Sequence, residues 1–210
     1  MYGWLQWWTG RQIHPLVFSI VAILTIAYAG QRIWYLRETI RHLRLGRDGE
    51  RPVGQILEQL REQGYTVFHD IPGPSFNIDH ALVGPAGVFT VETKSRTKPL
   101  HGHSKLFYDG KSLQIAGKGV ATKPLDQARA QAQWLTKLLN GTESGMYKAR
   151  PILVFPEWHV ERTGRRNRED VWVLNPKALG TFLACEPTVL SRAAMNSATQ
   201  ILAHYFRNPV

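Results

Sequence analysis

The stretch NIDHALVGPAGVFTVETKS, Asn77 to Ser95, constrains this chain more than any other. Two runs of apolar residues flank a Gly-Pro-Ala-Gly turn, the pattern of a β-hairpin, yet acids stand inside it at Asp79 and Glu92, with Lys94 two residues further on. With Gly84 to Gly87 as the turn, Gly84 pairs with Gly87, Val83 with Val88 and Leu82 with Phe89. Asp79 then stands opposite Glu92. Strand alternation puts Asp79, Ala81 and Val83 on the same face as Val88, Thr90, Glu92 and Lys94. Like charges directly opposed destabilise a sheet, so the pair invites a cation between them. A bulge would shift the register by one and break the coincidence.

A third carboxylate is expected nearby. Glu50 to Glu62 reads as a helix with Pro52 in its first turn and Gly64 as its stop. Val53, Ile56, Leu57 and Leu60 form its apolar face, and Glu50 projects from that face at spacings of three and seven. An acid on the core side of a helix needs a partner or a cation; the plainer alternative is an N-terminal acid that favours the helix dipole. Oxygen-only ligands completed by water select Mg2+ (or Mn2+) over zinc. A divalent ion beside a lysine is equipment for hydrolysing a phosphodiester, with Lys94 orienting or deprotonating the attacking water, or stabilising charge on phosphate. A solvated face carrying a Glu–Lys pair is the competing interpretation.

The segments GERPVGQILEQL, NIDHALVGPAGVFTVETKS and KPLDQARAQAQWL together resemble the nuclease-related domain (NERD) family, a branch of the PD-(D/E)xK nuclease superfamily. The resemblance runs well from Asp48 to Leu139 and loosely beyond. It implies an α/β fold with a restriction-endonuclease-like core, a mixed sheet flanked by helices, and a Mg2+-dependent endonuclease-like site. On it Asp79 and Glu92 match the metal-binding acids, Lys94 the catalytic lysine and Glu50 the helix glutamate. Gln127 matches a glutamine of the later helix; it and Gln131, at i and i+4, are candidates to contact DNA. The rival expectation is a nuclease-fold module without catalysis that binds nucleic acid or a protein at the membrane.

The front of the chain carries a different message. From Pro15 to Gly30 the sequence is uncharged and strongly apolar, with Trp7 and Trp8 before it and Trp34 and Tyr35 after it. Trp7 to Trp34 would span roughly 40 Å as a helix, a bilayer with its headgroups. Arg32, Arg37, Arg41, Arg44 and Arg47 follow the run and only Arg11 precedes it. These features predict a single-pass helix over about 13–31 in the inner or plasma membrane, with the C-terminal domain cytoplasmic. Ala27 to Ala29 also resembles a signal-peptide cleavage site. Ile33, Leu36, Ile40 and Leu43 make a narrow stripe that could seam a homodimer or lie on lipid. The expected division is 1–47 for anchor and basic helix, and 48–210 for the nuclease-like domain.

The other signals are weaker. Net charge is +10, with 26 Lys and Arg against 16 Asp and Glu, which favours nucleic acid or anionic lipid without choosing between them. The single cysteine, Cys185, excludes an internal disulfide and a thiolate zinc site. Asp109-Gly110 marks a second hairpin, Pro151 to Pro156 a buried strand, and helices are expected from Pro124, Pro176 and Thr188. His101 and His103 fit a polar loop better than a metal site. His80 falls on the face opposite Asp79, Asn77 shares the acid face, and Arg162, Arg165, Arg166 and Arg168 fit a solvated basic loop.

Overall fold

The computed structural model describes residues 15–95, 104–115, 119–141, 146–164 and 171–208, with the side chains of 15–18, 34–51 and 115 left undescribed. Several expected features therefore lie outside the described residues: Trp7, Trp8, His101, His103, Arg165, Arg166 and Arg168. So do the side chains of Glu50, Trp34, Tyr35 and Arg37, and most of the Ile33–Leu43 stripe. The chain divides into two units, Met1–Arg44 and Leu45–Val210.

Helix α1 runs over Pro15–Glu58 and passes into a 3-10 turn, Gln59–Gln63. The helix expected to start at Glu50 is thus the end of a longer one, because the basic stretch before it is helical too, and Pro52 sits inside it. Its stop is where glycine predicts it. Gly64 takes a left-handed φ of 82° and returns its N–H to the carbonyls of Arg61 and Leu60. Within the first unit the side chains from Ser19 to Ile33 are all exposed, among them Ile20, Val21, Ile23, Leu24 and Ile26. Among the described residues no helix is long and apolar enough to cross a membrane.

The second unit is a mixed α/β fold with two mixed sheets. Strands β1 (Thr66–Pro72), β2 (Asn77–Gly84), β3 (Gly87–Thr93), β7 (Ala149–Val154) and β9 (Trp172–Leu174) form the larger sheet in that order. Its first two pairings are antiparallel and its last two parallel. The smaller sheet holds β6 (Gly119–Ala121), β5 (Leu113–Ile115), β4 (Lys105–Tyr108) and β8 (His159–Arg162). The Asp109-Gly110 hairpin is there as β4–β5, but its loop has four residues. The Asp109 carboxylate accepts from the amides of Lys111 and Ser112 at 2.8 and 2.6 Å, which holds the carboxyl below its usual range.

Helices cover both faces of the larger sheet. Val53, Leu57 and Leu60 pack with Leu179 and Leu183 of α3 (Leu179–Ala184) on one side, against Phe89, Val91 and Trp172. On the other side lie α2 (Lys123–Asn140) and α4 (Arg192–Arg207), whose Ala132, Leu135, Ala198 and Leu202 meet Ala81, Val83 and Val88. Helix α4 starts later than Thr188, at the cap where Ser191 accepts from the Ala194 amide. The front of α2, through Leu125 and Ala128, also packs with Leu106 and Tyr108 of the smaller sheet and with Leu153 of β7.

Pro151 lies inside β7, where a missing N–H should cost a ladder bond. It does not. The Lys94 amide donates to the Val154 carbonyl and the Phe155 amide to the Leu174 carbonyl, so even-numbered residues of β7 face β3 and odd ones face β9. Pairing with β9 starts only at Ile152 opposite Trp172, so Pro151 looks toward an edge not yet filled.

Candidate active site

The hairpin register is the one the turn predicts. Gly84 pairs with Gly87, Val83 with Val88, Leu82 with Phe89, Ala81 with Thr90 and His80 with Val91. One step further puts Asp79 opposite Glu92. Val83 and Val88 belong to the cluster under α2, and Glu92, two steps along from Thr90 on the Val88 face, meets Gln131 of α2 there.

Beyond His80 and Val91 the backbone ladder gives way to side chains. The Thr93 amide faces β2, where an unbroken ladder would offer it the Ile78 carbonyl. It donates instead to Asp79 Oδ2 at 2.7 Å. The carboxylate of Asp79 thereby ties the two strands together at the level of Glu92.

Glu92 is 3% exposed, and burying a carboxylate is costly unless donors surround it. Three do. Lys94 Nζ donates to Oε1 at 2.5 Å, Gln127 Nε2 to Oε1 at 2.8 Å and Gln131 Nε2 to Oε2 at 2.6 Å. Hydrogen bonds to a charged group contribute about 1.5–3 kcal/mol each, enough together to hold the anion out of water. Lys94 Nζ also donates to Gln127 Oε1 at 3.0 Å. An ammonium has three N–H groups, and the partners among the described residues use two.

The elements explain the convergence. Helix α2 crosses the sheet face with Leu125, Ala128, Ala132, Leu135 and Leu139 buried, a stripe at helical spacing. Gln131 lies on that stripe and Gln127 on its flank, one turn earlier. Gln131 is 1% exposed and bonds to Glu92 and to the Asn77 carbonyl at 3.0 Å. It therefore stands behind the acid and not on a surface a duplex could touch, while Gln127 remains exposed. The structure brings together Asp79, Glu92, Lys94, Gln127 and Gln131. Glu50 is in α1, but its side chain is outside the description.

The donor set suits a hard cation: carboxylates from two strands, with no thiolate or imidazole bonded to them among the described residues. Among the described residues no group of three His, Cys, Asp or Glu side chains is set to hold a metal. The buried Oε1 of Gln131 has no partner there either.

On the opposite face lies a cluster that the sequence did not announce. His69 of β1 pairs across strands with His80 of β2, and their Nδ1 atoms are 2.8 Å apart. His69 Nε2 is 2.8 Å from Glu58 Oε1, and Arg61 holds the same carboxylate. Two Nδ1 atoms at that distance share one proton, so with His69 donating to Glu58 from Nε2, a neutral pair has His80 donating from Nδ1. His80 Nε2 is then a buried lone pair with no partner among the described residues. Burial first, and the neighbouring His69 second, push the His80 pKa down to about 4. His80 faces away from the acids, as alternation predicts. Its partners could have been found only by knowing that β1 lies beside β2.

The sequence profile of the nuclease-related domain matches residues 45–156, more than half of the chain, and its span takes in all these acids, the lysine and both glutamines. The chain belongs to the nuclease-related domain family. This nuclease-related domain is also similar to an uncharacterized protein of Bacillus anthracis, 34% identical over 65 residues. The match covers 29% of this chain and 31% of that protein, so the chain spans about a third of the length of the curated relative. No solved structure matches the chain.

Proposed function

We propose that this nuclease-related domain protein is a membrane-anchored, Mg2+-dependent endonuclease with a restriction-endonuclease-like core, acting on phosphodiester bonds of DNA. The observation that carries the proposal is Glu92: a buried acid opposite Asp79, with Lys94 bound to it. Asp79 and Glu92 are the groups that would hold Mg2+ (or Mn2+), which when bound would acidify water and neutralise charge on the phosphate. The expected third acid, Glu50, belongs to α1, whose Val53 and Leu57 pack on the other face of the sheet. Lys94 holds an attacking water or a phosphate oxygen through the N–H its two acceptors leave over. Gln127 keeps Lys94 in place by accepting from Nζ while donating to Glu92.

The anchor is supported by the uncovered apolar side chains of α1. Ile23, Leu24 and Ile26 are 65%, 64% and 71% exposed, and contiguous apolar surface on that scale calls for a cover. The arginines that follow, Arg32 to Arg47, support an orientation with the nuclease-related domain on the cytoplasmic side of the inner or plasma membrane.

The test is cleavage of supercoiled plasmid by the full-length chain in Mg2+, in Mn2+ and in EDTA, beside Glu92→Gln. Nicking that needs the metal and falls at least about 100-fold in Glu92→Gln supports an enzyme. Equal nicking by both proteins refutes it. Salt-dependent DNA binding with no turnover in either metal points instead to a non-catalytic binding module on the same fold.

A further inference from the structure

Gln131 is a polar residue on the stripe of α2 that otherwise buries apolar ones. Its Nε2 makes two hydrogen bonds, to Glu92 Oε2 at 2.6 Å and to the Asn77 carbonyl at 3.0 Å. Both partners are acceptors. Turning the amide over would press its own carbonyl oxygen against them with no proton between, so chemistry settles the orientation.

The two bonds reach different strands. Glu92 belongs to β3, while Asn77 opens β2 two residues before Asp79. Gln131 thus spans the gap between the strands that carry the two acids, and does so from a rigid helix. It also holds the one oxygen of Glu92 that Lys94 and Gln127 do not touch. At 1% exposure it meets neither solvent nor a bound polymer.

We propose that Gln131 is the positioning residue of this site: it sets the orientation of the Glu92 carboxylate relative to Asp79 and acts through Glu92 alone. The inference rests on the assignment of Asp79 and Glu92 as metal ligands made above. Partners that orient a metal ligand typically change metal affinity about 10–100-fold when removed.

The experiment is Mn2+ binding to the full-length chain, followed by electron paramagnetic resonance, with steady-state DNA cleavage at saturating Mn2+. The variants are Gln131→Met, Glu92→Gln and the two combined. Gln131→Met weakens Mn2+ binding about 10-fold or more and lowers kcat, while KM for DNA stays at the wild-type value. In the combined variant the loss is no greater than in Glu92→Gln, because Gln131 then has no carboxylate to orient. Wild-type Mn2+ affinity in Gln131→Met overturns the inference, as does a raised KM with metal affinity intact. Additive losses in the combined variant do the same. If Gln131→Met does not melt cooperatively, Gln131→Asn is read in its place with the same outcomes; it keeps the amide but withdraws it by one methylene. Should wild type and Glu92→Gln bind Mn2+ equally, the metal site falls and this inference with it. A normal Gln131→Met beside an impaired Glu92→Gln removes only the role of Gln131.

Discussion

Glu58 shows how a side chain can be strongly perturbed and still matter little to stability. Hydrogen bonding from Arg61, and then from His69, lowers its pKa to about 2 from an ordinary 4.5. A carboxylate whose folded pKa lies below its unfolded one stabilises the fold above pH 4.5 and loses that stabilisation as pH falls from 4.5 toward 2. The Glu58 side chain is 44% exposed, however, so water and salt screen its partners. The expected difference between wild type and Glu58→Gln is below about 1 kcal/mol at pH 5 and shrinks toward zero by pH 2. Urea midpoints of both proteins across that range measure it; a gap that widens on acidification contradicts the assignment. Glu92 is the opposite case, an acid so buried that its neighbours must be polar. The acid was legible in the sequence because it interrupts an apolar strand. The burial of Gln131 was legible too, since it falls on the inward stripe of α2 with Ala128 and Leu135. Reading both glutamines as candidates to contact DNA missed that phase for Gln131.

At the scale of elements, the β2–β3 hairpin carries the site and its turn sets the register. Tyr65, buried just before β1, lies flat on Gly84: a Cβ built there would be 2.1 Å from Tyr65 Cδ1. Gly84→Ala therefore forces the ring or the strand aside. It is expected to cost about 1–3 kcal/mol, the range for overpacking a filled core. A lowered midpoint in urea denaturation checks this, and an unchanged midpoint would show that the ring gives way freely. The alternation of Val83, Leu82, Val88 and Phe89 on either side of the Gly-Pro-Ala-Gly turn made the pairing readable. Nothing local announced that Asp79 would replace a ladder carbonyl as the acceptor for Thr93. That depends on how far apart the strands stand once α2 is seated on them.

For the whole molecule, the two units pose separate questions of solvent. The second buries three apolar clusters around its two sheets. In the first, the large apolar side chains described on α1 are exposed. If lipid covers them, Leu24→Asp in the full-length chain moves the protein from the membrane pellet to the soluble fraction, since an acid at a bilayer centre costs about 2.5–3.5 kcal/mol. Carbonate-washed membranes probed for wild type and variant give the answer; an unshifted variant, or a wild type already soluble, defeats the anchor. The sequence by itself determined what short-range periodicity can encode: the hairpin and its register, the Gly64 stop, the buried β7 strand and the apolar run. Tertiary structure alone decided which elements became neighbours. It placed α2 over the acids, so that Gln127, Gln131 and Lys94 converge on Glu92 across separations of up to 39 residues. It also set β1 beside β2, which joined His69 to His80, and gathered a second sheet from four short strands. Those associations follow from burying the faces of whole elements against one another, and pattern within one segment does not name its partner.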